Sequence, residues 1–230
     1  MTTETTDTRE RILDAAEALF AEHGFAGTSV RSVTAAAGTN LNAINYHFGS
    51  KEGLFRAVVG RIIRPVNEEQ LRLLEGLEAE GGEAGGAPSV EELIAAYVSP
   101  LVELLGRDEE RGRAISRLVA RVLADAGGVS QRAALAEVEE SEGRYLRAFA
   151  RALPHLPPEE LWWRFRSTIV VIAFHRLAAF PTGRPPPEAP PETGEDVRSW
   201  MVAFLTAALR APSADAAPRT QPPELTPPSA

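Results

Sequence analysis

The feature that most constrains the fold is a series of short amphipathic segments near the N-terminus. Apolar residues recur at helical spacing over residues 7–23, and Gly24 follows as a stop. Thr28 or Ser29 can cap a second short helix, which Gly38 ends. Each helix presents one apolar stripe, which is stable only when it packs against its neighbours. The pattern predicts a small bundle of helices.

A third helix is predicted from about Leu41 to Phe48. Ile44 and Phe48 lie four residues apart and face inward, whereas Asn42 and Asn45 project from another face. A helix, a tight turn that contains glycine and a second helix form a helix-turn-helix unit. In such units the second helix enters the major groove of DNA. The N-terminal segment therefore predicts a DNA-binding module.

Residues 11–55, RILDAAEALFAEHGFAGTSVRSVTAAAGTNLNAINYHFGSKEGLF, resemble the DNA-binding domain of the TetR-type (tetracycline-repressor-like) transcriptional regulators. The resemblance rests on G-F-x-x-T-S before the second helix, the A-A-G turn, the Y-H-F ending and the S-K-E start of the next helix, all in this order. It covers closely only the N-terminal quarter of the chain. It implies a ligand-sensing repressor that dimerises through variable C-terminal helices.

Contacts to base edges are expected from the outer face of the third helix. Asparagine bonds bidentately to adenine, so Asn42 and Asn45 are the main candidates. Leu41 can touch a thymine methyl group, and Arg31 on the second helix can reach guanine. The alternative for Asn45 is a polar residue that faces solvent.

Phosphate contacts are expected where the fourth helix begins. Ser50 can cap this helix, which places Lys51 in a first turn where the helix dipole disfavours a cation and favours an external anion. Tyr46 and His47 can reach the adjacent DNA backbone. The resemblance implies the same role for these three residues and adds Thr28. The alternative is a core tyrosine, a locally satisfied histidine and a solvated lysine.

The net charge of the whole chain and the local charge of one segment lead to opposite expectations about nucleic-acid binding. The net charge of −8 disfavours long-range attraction to nucleic acid. Residues 24–65 are basic, however, with a single opposing acid, Glu52, and five cations: Arg31, Lys51, Arg56, Arg61 and Arg64. This segment predicts a local DNA-binding surface, and the alternative is an arginine-rich solvated helix face.

The remaining chain is predicted to be helical, so the expected fold is all-α with no strand. A fourth helix runs to about Glu78 and is kinked or ended at Arg64 by Pro65. Further helices are predicted at about 90–105, 109–126, 130–152, 158–180 and 195–210. The expected units are a DNA-binding domain (1–55), a ligand-sensing and dimerisation domain (56–211) with a glycine-rich loop (79–89) and a proline-rich loop (181–193), and a disordered tail (212–230).

The last two predicted helices carry more apolar surface than a small domain covers. We expect homodimerisation through them, as a two-fold four-helix interface. The expected interface residues are Ile169, Ile172, Val197, Trp200, Met201, Phe204 and Leu205. The alternative is that these residues pack only within the core of one chain.

An apolar or amphipathic small molecule is the expected ligand of the C-terminal domain. Pro65 and Pro100 each interrupt a predicted helix, and such kinks separate packed helices enough to leave a cavity. The candidate lining residues are Tyr97, Trp162, Trp163, Phe165 and Arg166. Core aromatic residues give the same pattern, and the sequence favours that interpretation.

Other classes of function find little support in the sequence. The chain has no cysteine, and His155 and His175 lack metal-ligand spacing, so neither a metal nor a cofactor is expected. No catalytic constellation is present, no apolar run is long enough to span a membrane, and the N-terminus has no export signal, which predicts a cytoplasmic protein. The sequence thus predicts a homodimeric DNA-binding repressor. The alternative is a helical ligand-binding or interaction protein that no longer binds DNA.

Overall fold

The computed structural model describes residues 2–84, 86–125, 127–174 and 194–213. All regular structure in these ranges is helical, which confirms the predicted all-α fold. The helices are α1 (Thr2–Gly27), α2 (Val30–Ala36), α3 (Leu41–Phe48), α4 (Lys51–Ala84), α5 (Val90–Arg107), α6 (Glu109–Ala124), α7 (Val129–Ala152), α8 (Pro158–Phe174) and α9 (Gly194–Arg210). The predicted loop 181–193, the predicted helix beyond residue 174 and the tail beyond residue 213 lie outside the described residues.

Local signals bound each short N-terminal helix. α1 is broken at Gly24, whose φ of +71° lies in the left-handed region that glycine adopts most easily. Ser29 and Ser32 form a capping box at the start of α2. Helix α3 has its predicted bounds, and the side-chain oxygen of Asn40 caps it by accepting a hydrogen bond from the Ala43 amide (3.1 Å).

An aromatic cluster joins α1 to the start of α4. The rings of Phe20 and Phe55 meet edge to face with centroids 5.0 Å apart, and Phe25 packs against both rings. Ile44 of α3 is fully buried in the same continuous core. The inner face of α3 is thereby fixed to the module, and its outer face remains at the surface.

Helix α4 is longer than the sequence predicts. The expected end near Glu78 is wrong, because the helix continues to Ala84, and the helix does not end at Arg64, since Pro65 lies inside it. Residues 79–84 of the predicted loop 79–89 are therefore helical. Helix α7 packs along α4, and such tertiary packing outweighs the unfavourable helix propensity of proline and glycine.

The core of the C-terminal region is centred on α5, which packs against α4, α6, α7 and α9. The ring of Tyr97 lies 4.9 Å from that of Tyr145 and 5.0 Å from that of Phe165. The Gln70 amide donates to the Tyr97 carbonyl (2.7 Å), and the Tyr145 hydroxyl donates to the Gln70 carbonyl (2.8 Å). Burial raises the pKa of both tyrosines, so both phenols stay protonated.

The C-terminal end of α9 is held by Arg164 of α8. Its guanidinium pairs with Glu160 and donates hydrogen bonds of 2.7–3.0 Å to four backbone carbonyls, those of Ala208, Leu209, Ala211 and Pro212. The buried Ser213 donates to the Glu160 carboxylate (2.7 Å). Residues 212 and 213, which the sequence places in a disordered tail, are thus packed against α8.

Candidate DNA-binding surface and ligand cavity

The outer face of α3 presents polar side chains to solvent. Leu41, Asn42 and Asn45 are exposed, while Ile44 on the opposite side is buried. Within the described residues neither side-chain amide of the two asparagines has a hydrogen-bond partner, so both are available to a base edge. Arg31 is likewise exposed on α2. The fold therefore leaves all four predicted base-reading residues at the surface.

The end of α3 carries an exposed aromatic ring. The Tyr46 side chain is 79% exposed, which rules out the alternative of a core tyrosine. The half-buried His47 ring lies with its centroid 5.0 Å from that of Tyr46. The Arg9 guanidinium of α1 lies 5.6 Å from the centroid of the Phe48 ring. Arg9, which also pairs with the exposed Glu10 (2.9 Å), lies beside the end of α3, a position that no spacing pattern within α3 could have indicated.

The start of α4 carries charges of both signs. The Lys51 ammonium lies 4.4 Å from the centroid of the Phe25 ring, which positions it by a cation–π contact. Ser50 accepts a hydrogen bond from the Gly53 amide (3.0 Å). Hydrogen bonds from its own backbone amide and from Ser50 lower the pKa of Glu52. The backbone amides of Glu52 and Gly53, which an external anion could otherwise bind, already have partners. The Lys51 ammonium is therefore the main group left for a phosphate.

Thr28 does not belong to this surface. Its side chain is only 1% exposed, and its hydroxyl donates to the carbonyls of Gly24 (2.8 Å) and Leu19 (3.1 Å). These bonds satisfy backbone groups where α1 is broken. The structure therefore contradicts the predicted phosphate contact of Thr28, because a buried hydroxyl cannot reach DNA.

Fewer cations of residues 24–65 are available to DNA than the charge pattern of the sequence indicates. Arg61 pairs with Asp14 (2.7 Å) and Glu17 (2.5 Å) of α1, and Arg64 pairs with Glu137 of α7 (2.7 Å). These carboxylates lie far away in the sequence, so the charge count over residues 24–65 missed them. The cations of that segment without an ion pair among the described residues are Arg31, Lys51 and Arg56.

Two family models match the chain. The model for bacterial regulatory proteins of the tetR family matches residues 12–58, which include the whole of α2 and α3. The model for the tetracyclin repressor-like C-terminal domain matches residues 95–208. The chain belongs to the TetR family. The similarity to the TetR family thus extends beyond the helix-turn-helix segment to most of the C-terminal helices.

Individual relatives agree with this assignment. The HTH-type transcriptional repressor AcnR of Corynebacterium glutamicum is 38% identical over 76 residues, which are 33% of this chain and 37% of AcnR. Thus the match spans little more than a third of that curated relative. SmeT, the repressor of the Stenotrophomonas maltophilia multidrug efflux pump SmeDEF, is 26% identical with a TM-score of 0.57, and the match covers 88% of this chain and 91% of SmeT.

A further solved structure shares the fold. AibR, solved in complex with isovaleryl coenzyme A and operator DNA, has a TM-score of 0.59 and is 20% identical. The match covers 86% of this TetR-family chain and 98% of AibR. At this identity the likeness concerns the fold alone.

An inner cavity of about 350 Å³ lies between helices α4 to α8. Its wall is mainly apolar and includes Val66 and Leu101, which directly follow the two helix prolines. The predicted pocket residues that line it are Tyr97, Trp162, Trp163 and Arg166. Phe165, by contrast, lines an outer cavity of about 530 Å³ between α7 and α8. The volume and the mainly apolar wall of the inner cavity suit a small organic ligand.

The lining of the inner cavity includes two polar residues without a hydrogen-bond partner among the described residues, Ser116 and Glu142. The Ser116 hydroxyl of α6 is fully buried and has no hydrogen-bond partner among the described residues. Glu142 of α7 also lines the cavity, and burial raises the pKa of its carboxyl against a smaller opposing effect of Arg166.

Helix α6 connects the cavity to the DNA-binding module. One face of α6 lines the cavity, and Arg111 on this helix pairs with the buried carboxylate of Glu17 in α1 (3.0 Å). Arg121 donates to the carbonyls of Ala21 (3.2 Å) and Glu22 (2.6 Å), next to the break in α1. A displacement of α6 would therefore act directly on the helix that supports α2 and α3.

The predicted dimer residues divide into two groups. Three of them are buried within the chain's own core, which contradicts their assignment to an interface: Ile172, Met201 and Leu205. Ile169 and Val197 are half-buried, and Ile169 lines the inner cavity. Trp200 and Phe204 are 57% and 61% exposed, one helical turn apart on α9. Of the predicted dimer residues, the exposed ones are therefore on α9, while α8 exposes three other large apolar side chains, those of Trp162, Trp163 and Val170.

Two other features are absent from the described part of the chain. None of its helices has the length and apolarity needed to cross a membrane. Nor do the described residues contain a group of three histidine, cysteine or acidic side chains placed to hold a metal ion.

Proposed function

We propose that this TetR-family protein is a transcriptional repressor that binds a palindromic operator as a homodimer. We further propose that a small apolar or amphipathic ligand releases it from the operator in the cytoplasm. The observation that carries the proposal is the outer face of α3, whose polar side chains are exposed and unpaired while its inner face is anchored by Ile44. That AcnR and SmeT are repressors supports the proposed direction of regulation.

In this proposal two groups of residues have different tasks on DNA. The base-reading group is Arg31, Leu41, Asn42 and Asn45, which lie on the exposed faces of α2 and α3. The positioning group is Tyr46, His47 and Lys51, which contact phosphates and fix the register of the helix in the groove. Arg9 joins the positioning group because its guanidinium lies beside the end of α3.

The proposed dimer forms through α9. Trp200 and Phe204 expose large apolar side chains on the same helical face, and such a surface is usually covered in a soluble protein. A two-fold axis would pair this face with its own copy, and binding to a palindromic operator would require the two α3 helices to lie about one DNA turn apart. Helix α8, which contributes lining residues to the inner cavity, also packs against α9.

Replacing Phe204 by Asp tests the dimer. Each dimer would contain two new carboxylates in an apolar contact, so we expect a loss of dimer stability of about 4 kcal/mol or more. Sedimentation of Phe204→Asp should show a folded monomer, whereas Ala18→Asp on the exposed surface of α1 should remain a dimer. A folded Phe204→Asp dimer would place the interface elsewhere.

Selection of bound duplexes from random DNA tests the function as a whole. We expect enrichment of a palindrome whose half-sites are about 10 base pairs apart, or a multiple of that spacing. The double variant Asn42→Ala, Lys51→Ala should enrich the palindrome more weakly and lose the preference at one symmetric base pair. If the native protein enriches no sequence while it remains folded, the alternative of a helical ligand-binding protein without DNA-binding activity replaces the proposal.

A further inference from the structure

The inner and outer cavities meet at one partition. Four residues line both cavities: Leu135, Glu142, Trp162 and Arg166. The Arg166 guanidinium lies 4.8 Å from the centroid of the Trp162 ring, so a cation–π contact holds it at the partition. A ligand that fills the inner cavity therefore meets one carboxyl and one guanidinium where it approaches the outer cavity.

The two charged groups of the partition are not paired with each other or with any other described residue. Neither Glu142 nor Arg166 forms a hydrogen bond or an ion pair within 4.0 Å in the part of the chain that the structure describes. Both are half-buried. Unpaired charges at this depth are costly, and a ligand group that bonds to them recovers part of that cost.

Only one of these groups can change its charge. A guanidinium stays protonated in proteins, whereas a carboxyl becomes neutral on protonation. Burial favours the neutral form of Glu142, because it raises the pKa of this carboxyl. A cationic ligand would always meet the positive charge of Arg166. An anionic ligand would meet a partition that turns net positive when Glu142 takes up a proton.

We propose that the sensor cavity binds an amphipathic carboxylate, with its apolar body in the inner cavity and its carboxylate between Arg166 and Glu142. This inference rests on the proposed role of the cavity as the sensor site. Arg166 donates hydrogen bonds to the ligand carboxylate, and protonated Glu142 donates one more. Binding therefore takes up protons, and affinity falls as the pH rises and Glu142 ionises.

The other groups around the partition do not reverse this sign. Tyr97 of α5 lies near enough to interact with Glu142 and stays neutral because burial raises its pKa. Arg132 and Glu139 of α7 line the outer cavity and carry opposite charges. The cavity-lining residues of α4 and α6 carry no ionisable side chain. Arg166 is thus the fixed charge that selects the ligand.

Isothermal titration calorimetry of the full chain tests the proposal with three ligands of equal chain length. Decanoate should bind at least about tenfold more tightly than decylamine or decanol. Its affinity should fall from pH 6.5 to pH 8, and buffers of different ionisation enthalpy should reveal proton uptake. Tighter binding of decylamine or decanol, or no binding of decanoate, would overturn the proposal.

Three variants identify the groups responsible. Arg166→Met should weaken decanoate binding about tenfold or more, whereas Arg117→Met, on the exposed surface of α6, should leave it unchanged. Glu142→Gln should retain decanoate binding and lose both the proton uptake and the pH dependence. If Arg166→Met misfolds by circular dichroism, the Glu142→Gln result decides: a persistent pH dependence contradicts the proposal. Operator selection is a separate measurement, so the carboxylate proposal can fail while the repressor function stands.

Discussion

The helix-turn-helix module (α1–α3) and the C-terminal helices (α5–α9) are built from the same kind of element and share side-chain caps at the starts of α2, α3, α5 and α6, but the end of α9 is held differently. In the module, a capping side chain or a glycine marks each helix end within a few residues, as at Asn40. At the end of α9, the terminal carbonyls are satisfied by Arg164 from another helix. The start of α3 is therefore bounded by local chemistry and the end of α9 by tertiary contacts, which makes their responses to mutation distinguishable.

The largest effect is expected at the tertiary boundary. Arg164→Met removes a guanidinium that is 11% exposed, and with it the ion pair to Glu160 and the hydrogen bonds to four carbonyls. We expect a loss of about 3–5 kcal/mol in the free energy of unfolding, measured by urea denaturation. Arg72→Met, which breaks an exposed pair with Glu69, should cost about 0.5 kcal/mol or less. Similar losses in both variants would show that Arg164 does not hold the end of α9.

A smaller effect is expected when the outer face of α3 is changed. Asn42→Ala should cost about 1–3 kcal/mol of binding free energy on the selected operator and relax the preference at one symmetric base pair. The dependence of binding on salt should hardly change, because no phosphate contact is lost. Fluorescence anisotropy with operator and scrambled duplexes at several salt concentrations measures both quantities. Equal weakening on both duplexes would show that Asn42 does not read bases.

A local boundary should respond more weakly than the tertiary one. Asn40→Ala removes the side-chain cap of α3 and should lower the free energy of unfolding by about 1 kcal/mol. Asn40→Asp keeps an acceptor at the same position and should restore stability in the same urea titration. Failure of the aspartate to rescue would mean that Asn40 acts through something other than the cap.

The smallest loss of binding is expected at Lys51. Lys51→Ala should weaken binding to operator and to scrambled DNA by similar factors and reduce the log–log salt slope by about 1. Lys51→Arg keeps the charge and should retain the slope. Because Asn42→Ala is expected to do the opposite, the two alanine variants separate base reading from positioning. Unchanged binding of Lys51→Ala to both duplexes would assign this residue to solvated surface.

The module could be predicted closely because its information is local. The bounds of α3, the break at Gly24 and the outward direction of Asn42 and Asn45 all follow from patterns that span fewer than about ten residues. Thr28 is the exception, since its place in the sequence looks like a cap while its hydroxyl turns inward to the Leu19 and Gly24 carbonyls.

In the C-terminal region the sequence by itself determined that the chain is helical and where most helices lie, because apolar spacing and capping residues act within each helix. Tertiary structure decided the rest. It carried α4 through Pro65, paired Arg61 and Arg64 with distant carboxylates, and buried Met201 and Leu205 while leaving Phe204 exposed. An amphipathic stripe shows that a face will be covered, but which side chains cover it depends on elements that lie far apart in the sequence and meet only when the chain folds.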